Sequence, residues 1–530
     1  LHVQSNTTNV SDAVVDSSRN QYEFTKRGNA THSTDQKIHG ASSLYFDGDG
    51  DALSINNADT LNGDFTFETW INLKNIPAES EFTLPSEVSS SAIDGELLEI
   101  TEDTTLEYTD DRISALTTNT ITLTSKSGSD FKTNQRLLII TTYGANADTI
   151  GNYEFVEIAS INGNVLTLKS NIQKTYDVAN YTFVVAPKRY NKIIVNEDVN
   201  VSSVAWSASS DSIQGLVLLS ANEIQVKGQI SANELGFRGG TVGTTSNKNG
   251  GIGESYVVGK WNTRSTNGQY GSGGGGVYYN RGSGGDIGTS GAGAGHGTSG
   301  TGGSSWYSSG NAKGGTAFAL DTIKEKIFMG PGGGQGGSDN ANPHDSRSAR
   351  GGYGGRGAGI VIIDAIYCEV SETGIISANG QRGLEAYDPG NGEAGNGGGG
   401  AGGSVLFTGN IDNEGIIQTT RGDRRVADGS GQSGGYGYTS GYGGHGVIAW
   451  FGYNVGNNQI NCLAHSPWKN TSYILDTHST ETTDFGGNKL GLIAIPSKES
   501  GKYDVVYGNF GGKLIRSKLN LTYNEWNHIA

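Results

Sequence analysis

Three groups of residues have the types and spacing to do chemistry. "FDGDGD" (Phe46 to Asp51) sets carboxylates at alternate positions, Asp47, Asp49 and Asp51. A hard cation takes several oxygens at close range, so this spacing suits calcium. An ordinary Asp/Gly hairpin turn uses the same residues without a metal. In "DFTFETWINLK" (Asp64 to Lys74), Phe65, Phe67, Thr69, Ile71 and Leu73 alternate onto one face, and Trp70 stands with Glu68 and Asn72 on the other. A Trp on a polar face can stack on a sugar ring or be covered by a neighbouring loop. The third group is Tyr278, Tyr279, Trp306, Tyr307, Tyr436 and Tyr438, aromatics set among glycines where a solvated linker has no need of them. Their candidate chemistry is contact with a surface glycan or receptor.

Bond-breaking chemistry has less support. "EITED" (Glu99 to Asp103) lacks the interval of a paired-carboxylate glycosidase site. No H-E-x-x-H or C-x-x-C occurs, and the G-x-G-x-x-G matches follow trivially from glycine content. "RGD" (Arg421 to Asp423) is close to background in such a chain. Cys368 and Cys462 can form one disulfide or none. The chain is therefore read as a non-enzyme.

The elements that must position these residues are strands. The 530 residues exceed one ordinary core, and two to four domains are expected. Val, Ile, Thr, Tyr and Asn dominate most segments, which favours β-structure, and "ALDTIKEKIF" (Ala319 to Phe328) is the nearest approach to a helix. The 85 glycines show no Gly-X-Y period, which excludes collagen. A formal charge of −16 argues against nucleic acid. No apolar run reaches the length of about 20 residues that a membrane helix needs. The first residues lack the pattern of a signal peptide, and a start at Leu suggests a processed product or a fragment.

The sequence divides into four stretches. In the first, to residue 78, "SLYFDGDGDALSI" precedes "DFTFETWINLK"; in the last, 457–530, the chain ends on "EWNHIA" (Glu525 to Ala530). These motifs resemble the laminin-G-like, concanavalin A-like jelly-roll sandwiches, whose calcium loops vary. The resemblance implies one discontinuous sandwich interrupted by an inserted module, tolerated where loop ends lie close together. It also implies further strands after Ala530, so the chain is expected to be part of a longer polypeptide.

Between these lie a β-rich domain at 79–214, with a hairpin signal in "SINGNVLTL" (Ser160 to Leu168), and a glycine-rich module at 215–456. The module repeats weakly: "GLVLLSANEIQVKGQISANELGFRGG" from Gly215, "GIVIIDAIYCEVSETGIISANGQRG" from Gly359 and "GSVLFTGNIDNEGIIQTTRGD" from Gly403. Each unit is a Gly, an apolar strand, a polar corner and a second strand, as in a quasi-solenoid. The glycine runs are either flexible linker or three-residue-per-turn helices packed side by side, whose amides bond to neighbouring rows. Blocks such as "GNGGGGAGGSVLF" resemble the glycine-rich modules of phage and viral fibre adhesins and of large bacterial surface proteins. The resemblance implies an extracellular adhesive protein on a virion or bacterial cell surface, binding a glycan or receptor, self-associating and not inserted in membrane. The alternative is an architectural fibre or surface-layer subunit assembled by strand-edge pairing.

Overall fold

The computed structural model describes residues 93–450 apart from 209, 242–248, 260, 280–286, 305–310, 319–324, 339–350, 387–393 and 425–438. Outside that span it describes the strands towards the two ends of the chain and residues 14, 30, 34–35, 37, 41–42 and 46. These residues are all-β, with one 3-10 turn at Gly128–Asp130. The described part of "ALDTIKEKIF" is not helical: Lys326 forms an isolated bridge to Asn152. The chain divides into two compact units, Leu1–Thr83 with Pro467–Ala530, and Leu84–Ser466.

The first unit is antiparallel. Tyr473–Asp476, Gly491–Pro496, Lys502–Phe510 and Lys513–Thr522 form a meander. Phe24–Arg27 pairs with Ala52–Ile55, Thr31–Ser33 with Ser43–Tyr45, and Val3–Gln4 with Val15–Asp16. Thr69–Asn72 pairs with Trp526–Ile529, Trp70 opposite His528, so the two ends of the sequence share a ladder.

The second unit is built on a parallel solenoid. Its long strands are Gly95–Ile100, Arg189–Val195, Leu216–Val226, Ile360–Val370, Ser404–Phe407 with Asn410–Asn413, Val447–Trp450 with Asn454–Val455, and Leu463–His465. Its short strands, Thr104–Thr105, Asn200–Ser202, Gln229–Ser231, Ile375–Ser377, Ile416–Gln418 and Gln459–Asn461, make a second parallel sheet. Both sheets run across position 214/215, where two stretches were expected to meet. Between them Val217, Val361, Val405 and Ile448 stack in register, as do Leu219, Ile363, Phe407 and Trp450. The opposite face carries Leu218, Ile362, Leu406 and Ala449 in a second core. Burial on both faces is why "LVLLSA" and "IVIIDA" read as unbroken apolar runs. The glycine opening each repeat is explained by stacking. A Cβ on Gly403 would stand 1.9 Å from the Gly359 carbonyl oxygen, and one on Gly446 1.9 Å from that of Gly403.

After the first coil the chain departs into a closed six-stranded antiparallel barrel: Thr109–Leu116, Thr120–Leu123, Val165–Leu168, Tyr153–Asn162, Arg136–Tyr143 and Tyr181–Ala186. The hairpin expected in "SINGNVLTL" is present, turning at Gly163 with φ +61°. Leu138, Ile140, Phe183 and Val185 pack with the outer face of the long strands. An ionic contact fixes the docking. Arg136 Nε and Nη2 donate to buried Asp364 at 2.9 and 3.1 Å, and Ser220 Oγ and Thr408 Oγ1 donate at 2.8 and 3.1 Å. Burial alone would push this carboxyl up; the Arg136 charge and these hydrogen bonds hold it below the usual carboxylate range.

The glycine runs form an ordered lattice. Its rows are 236–241, 249–254, 271–277, 287–297, 300–304, 311–316, 330–338, 351–359, 378–386, 394–403, 419–424 and 439–446. The central row shows the rule. Gly332 and Gln335 donate to Glu254 and Gly251, Gly333 and Gly336 to Gly355 and Gly352, and Gly334 and Gly337 to Ala292 and Thr289. Each third residue thus addresses the same neighbour, the period of a three-residue helix without internal hydrogen bonds. Three other rows donate back through Gly273, Gly240 and Gly398. A side chain cannot enter: a Cβ on Gly333 would lie 2.1 Å from the Gly398 carbonyl oxygen. We expect Gly333→Ala to cost on the order of 3 kcal/mol or to abolish soluble expression. Gly163→Asn, where a Cβ meets nothing within 4 Å, should stay within about 1 kcal/mol by thermal unfolding, since Asn tolerates positive φ. Equal effects would refute a close-packed lattice.

Candidate functional site

The lattice rows are the third side of the solenoid coil, drawn outward. Inward rows end at Gly359, Gly403 and Gly446 and run directly into the long strands at Ile360, Ser404 and Val447. Outward rows leave the short strands after Ser231, Ser377 and Gln418. The described row ends 241 and 249, 304 and 311, 338 and 351, 386 and 394, and 424 and 439 therefore lie at the end remote from the solenoid. So do Tyr279 and Ile287, which close a two-residue ladder in which Tyr278 pairs with Gly288.

Short polar side chains finish these ends. Thr289 Oγ1 accepts from Val277 N at 2.7 Å, Ser338 Oγ from Gly351 N at 3.0 Å and Asn396 Oδ1 from Ala386 N at 3.0 Å. Ser304 Oγ accepts from Thr439 N at 2.8 Å, while Ser304 N donates to the Thr439 carbonyl. Sequence reasoning passed over these caps; the available signal was a Ser, Thr or Asn beside the glycine run, as at Thr289, Ser304, Ser338 and Asn396. Trp306, Tyr307, Tyr436 and Tyr438 lie outside the described residues. Their segments attach at Ser304 and Thr439, which are hydrogen-bonded neighbours. Trp70 belongs to the other compact unit, and Asp47, Asp49 and Asp51 lie outside the described residues.

The remaining aromatics of the glycine-rich module have other work. Tyr256 packs against Phe318 and Phe328, both at 5.0 Å, at the inner end of the lattice. Trp261 lies under the Arg238 guanidinium at 3.6 Å, and that guanidinium forms a bidentate pair with buried Glu254. Gly422 of the RGD sequence is a lattice residue, donating to Gly400 and accepting from Gly443, so it is no loop apex. Cys368 is buried and unbridged, and Cys462 lies outside the described residues. Among the described residues no three His, Cys, Asp or Glu side chains are grouped to hold a metal, and no helix is long and apolar enough to cross a membrane.

No family model and no curated protein matches the chain. Among solved structures it is similar at 9% identity and a TM-score of 0.14 to the Gp54 tailspike of Acinetobacter baumannii bacteriophage AP22 in complex with A. baumannii capsular saccharide. The alignment covers 70% of this chain and 60% of that one, less than two thirds of the tailspike chain. A likeness at this level carries no argument about fold or function.

One titrating group ties the rows together. His296, fully buried, hydrogen-bonds through Nδ1 to the Gly402 carbonyl at 2.7 Å and packs against Phe318. Burial pushes its pKa down to about 4, against the Gly402 hydrogen bond. With the folded value below the unfolded one of about 6.5, the unfolded chain binds the proton first. Stability from this group is complete above the unfolded value and is lost as pH falls towards the folded one. The thermal midpoint should therefore drop between pH 6.5 and about 4, and His296→Asn, which retains a donor for Gly402, should flatten that limb. An unchanged slope would remove His296 from the acid response.

Proposed function

We propose that this chain is an adhesive component of an extracellular or virion surface, and that the far end of its glycine lattice contacts a surface glycan or receptor. The observation that carries this reading is the common exit. Connections from twelve hydrogen-bonded rows leave the lattice at one end, rooted through continuous chain in the solenoid. Loops held by a stiff frame present contact residues at fixed spacing, as binding loops on rigid scaffolds do. Tyr278 and Tyr279 stand there, and the segments bearing Trp306, Tyr307, Tyr436 and Tyr438 start there. Aromatic faces suit sugar rings, and weak contacts gain strength when several act together. The role is recognition rather than bond cleavage.

The first unit, Leu1–Thr83 with Pro467–Ala530, is proposed to be a discontinuous laminin-G-like sandwich, supported by the pairing of Thr69–Asn72 with Trp526–Ile529. Trp70 and a calcium loop at Asp47, Asp49 and Asp51 are its candidate contacts.

A glycan array and a cell-attachment assay test this together. The variant Trp306→Ala/Tyr307→Ala/Tyr436→Ala/Tyr438→Ala should lower apparent attachment at least about tenfold with thermal stability unchanged, since losing each aromatic contact costs roughly 0.5–1.5 kcal/mol. Full attachment by that variant would overturn the assignment of contact to this end of the lattice. Loss on calcium chelation would move recognition to the first unit.

A further inference from the structure

The lattice has a flank as well as an end, and the flank holds an unusual charge arrangement. Row 419–424 lies beside row 439–446, with Gly443 donating to the Gly422 carbonyl at 2.9 Å and Gly446 to that of Thr419 at 2.8 Å. The three-residue period puts Arg421 and Arg424 on one face of their row and turns Asp423 to another. The same period places Thr439, Tyr442 and His445 in line on the next row, all half-buried. The two guanidiniums converge on one ring: Arg421 Cζ lies 4.1 Å and Arg424 Cζ 4.8 Å from the Tyr442 centroid.

Like charges held this close repel, and the ring offsets only part of that. Among the described residues no carboxylate completes the pair: Arg136 and Arg238 each have one, half-buried Arg356 is held instead by the carbonyls of Trp206, Glu234 and Gly236, and Arg421 and Arg424 have neither kind of partner there. Arg424 Nε is buried with no hydrogen-bond partner. Nor is the charge of Arg421 neutralised where it is felt. After burial, it is the second cause holding the neighbouring His445 imidazole below its usual range. In a chain of net charge −16, two guanidiniums sharing one ring without a described counter-charge form an arrangement that an anionic ligand would explain. Guanidinium forks match planar carboxylates and phosphates bidentately.

We propose that Arg421 and Arg424, held astride Tyr442 on the lattice flank, bind the anionic groups of an acidic saccharide. The inference deepens the glycan reading and rests on it, naming the substrate class as carboxylated or phosphorylated sugar. The two forks come from one row, one three-residue turn apart, and meet over one ring, so neighbouring acidic groups of one ligand can be addressed together. The RGD sequence thus matters for its Arg421 and the Arg424 that follows it rather than as a tripeptide.

The test is titration calorimetry of the full chain with hexagalacturonate, mannose 6-phosphate and neutral maltohexaose, at low and high salt. Wild type should bind one or both anionic probes and not the neutral one, more weakly at high salt. Which anionic probe binds distinguishes carboxylate from phosphate. Arg421→Gln/Arg424→Gln should weaken that binding at least about tenfold, the scale of one lost charge-assisted hydrogen bond. Arg421→Lys/Arg424→Lys should fall between, keeping charge but losing the fork. Both arginines are half-buried, and unchanged thermal midpoints establish that the variants fold. No anionic binding by wild type, or equal binding by the Gln variant, overturns the proposal. Cell attachment separates the two readings. If the four aromatic substitutions abolish attachment and the arginine pair does not matter, the flank site falls and the end of the lattice stands; the reverse result favours the flank alone.

Discussion

The structure depends on the missing Cβ of a packed glycine. Where Gly400 faces Arg356 or Gly334 faces Gly274, a side chain would begin 1.9 Å from a carbonyl oxygen; without one, the carbonyl can accept from the next row. Rows at that spacing surround each other, and a three-residue period distributes donors among three neighbours in turn. Every buried peptide group needs a partner, and this geometry supplies one without β-pleat or side-chain layers. It is costly. Ordering one residue's backbone costs roughly 1–2 kcal/mol, and a net hydrogen bond returns only about 0.5–1.5 kcal/mol. A free-standing glycine bundle would therefore be marginal. Here the rows are short and continuous with apolar strands, and buried side chains such as His296 and Gln335 cross-link them.

That continuity makes the solenoid and the lattice one object. Gly359, Gly403 and Gly446 are at once the last lattice residues and the first of the stacked column that starts each long strand. Position at the far end is inherited from register in the sheets, where Ile360, Ser404 and Val447 align. The barrel contributes from the side. Its Arg136 needs Asp364, which sits in the same strand that Gly359 begins, so barrel docking and lattice root share a few residues. Removing one partner of such a buried pair typically costs about 3–5 kcal/mol.

Much of this was legible in the sequence, for physical reasons. A solenoid repeats its sequence because each coil meets the same neighbours. "GLVLLSA", "GIVIIDA" and "GSVLF" align because Val217, Val361 and Val405 occupy one core column. The Asn of "ISAN" is part of the same logic: Asn233 Oδ1 accepts from Asn379 N, and Asn379 Oδ1 from Thr420 N, one corner bonded to the next. The earliest coils were not legible. A barrel of its own hydrophobic pattern separates Gly95–Ile100 from Arg189–Val195, and Arg189–Val195 is buried mainly on alternate residues, unlike its successors. The aromatics looked alike as letters. Whether a Tyr caps the inner end, as Tyr256 does, or lies on the flank, as Tyr442 does, depends on which row it belongs to and on row direction, and neither is local information.

Charge decides how the two proposed contact regions can act. The net charge of −16 opposes an acidic polymer, but beyond a Debye length, about 8 Å at physiological salt, that field is largely screened. Long-range steering therefore gives an acidic ligand no help, and encounter would rely on the aromatic segments at the end of the lattice. Within that length the local field on the flank is set by Arg421 and Arg424, which lie over Tyr442 without a described counter-charge. Recognition on the flank is then a matter of fit rather than attraction at a distance. An acidic strand captured at the lattice end by ring contacts, and only then laid along the flank, would be selected for the spacing of its charges. A lattice of closely packed rows, with no room for a Cβ between them, is suited to reading such a spacing.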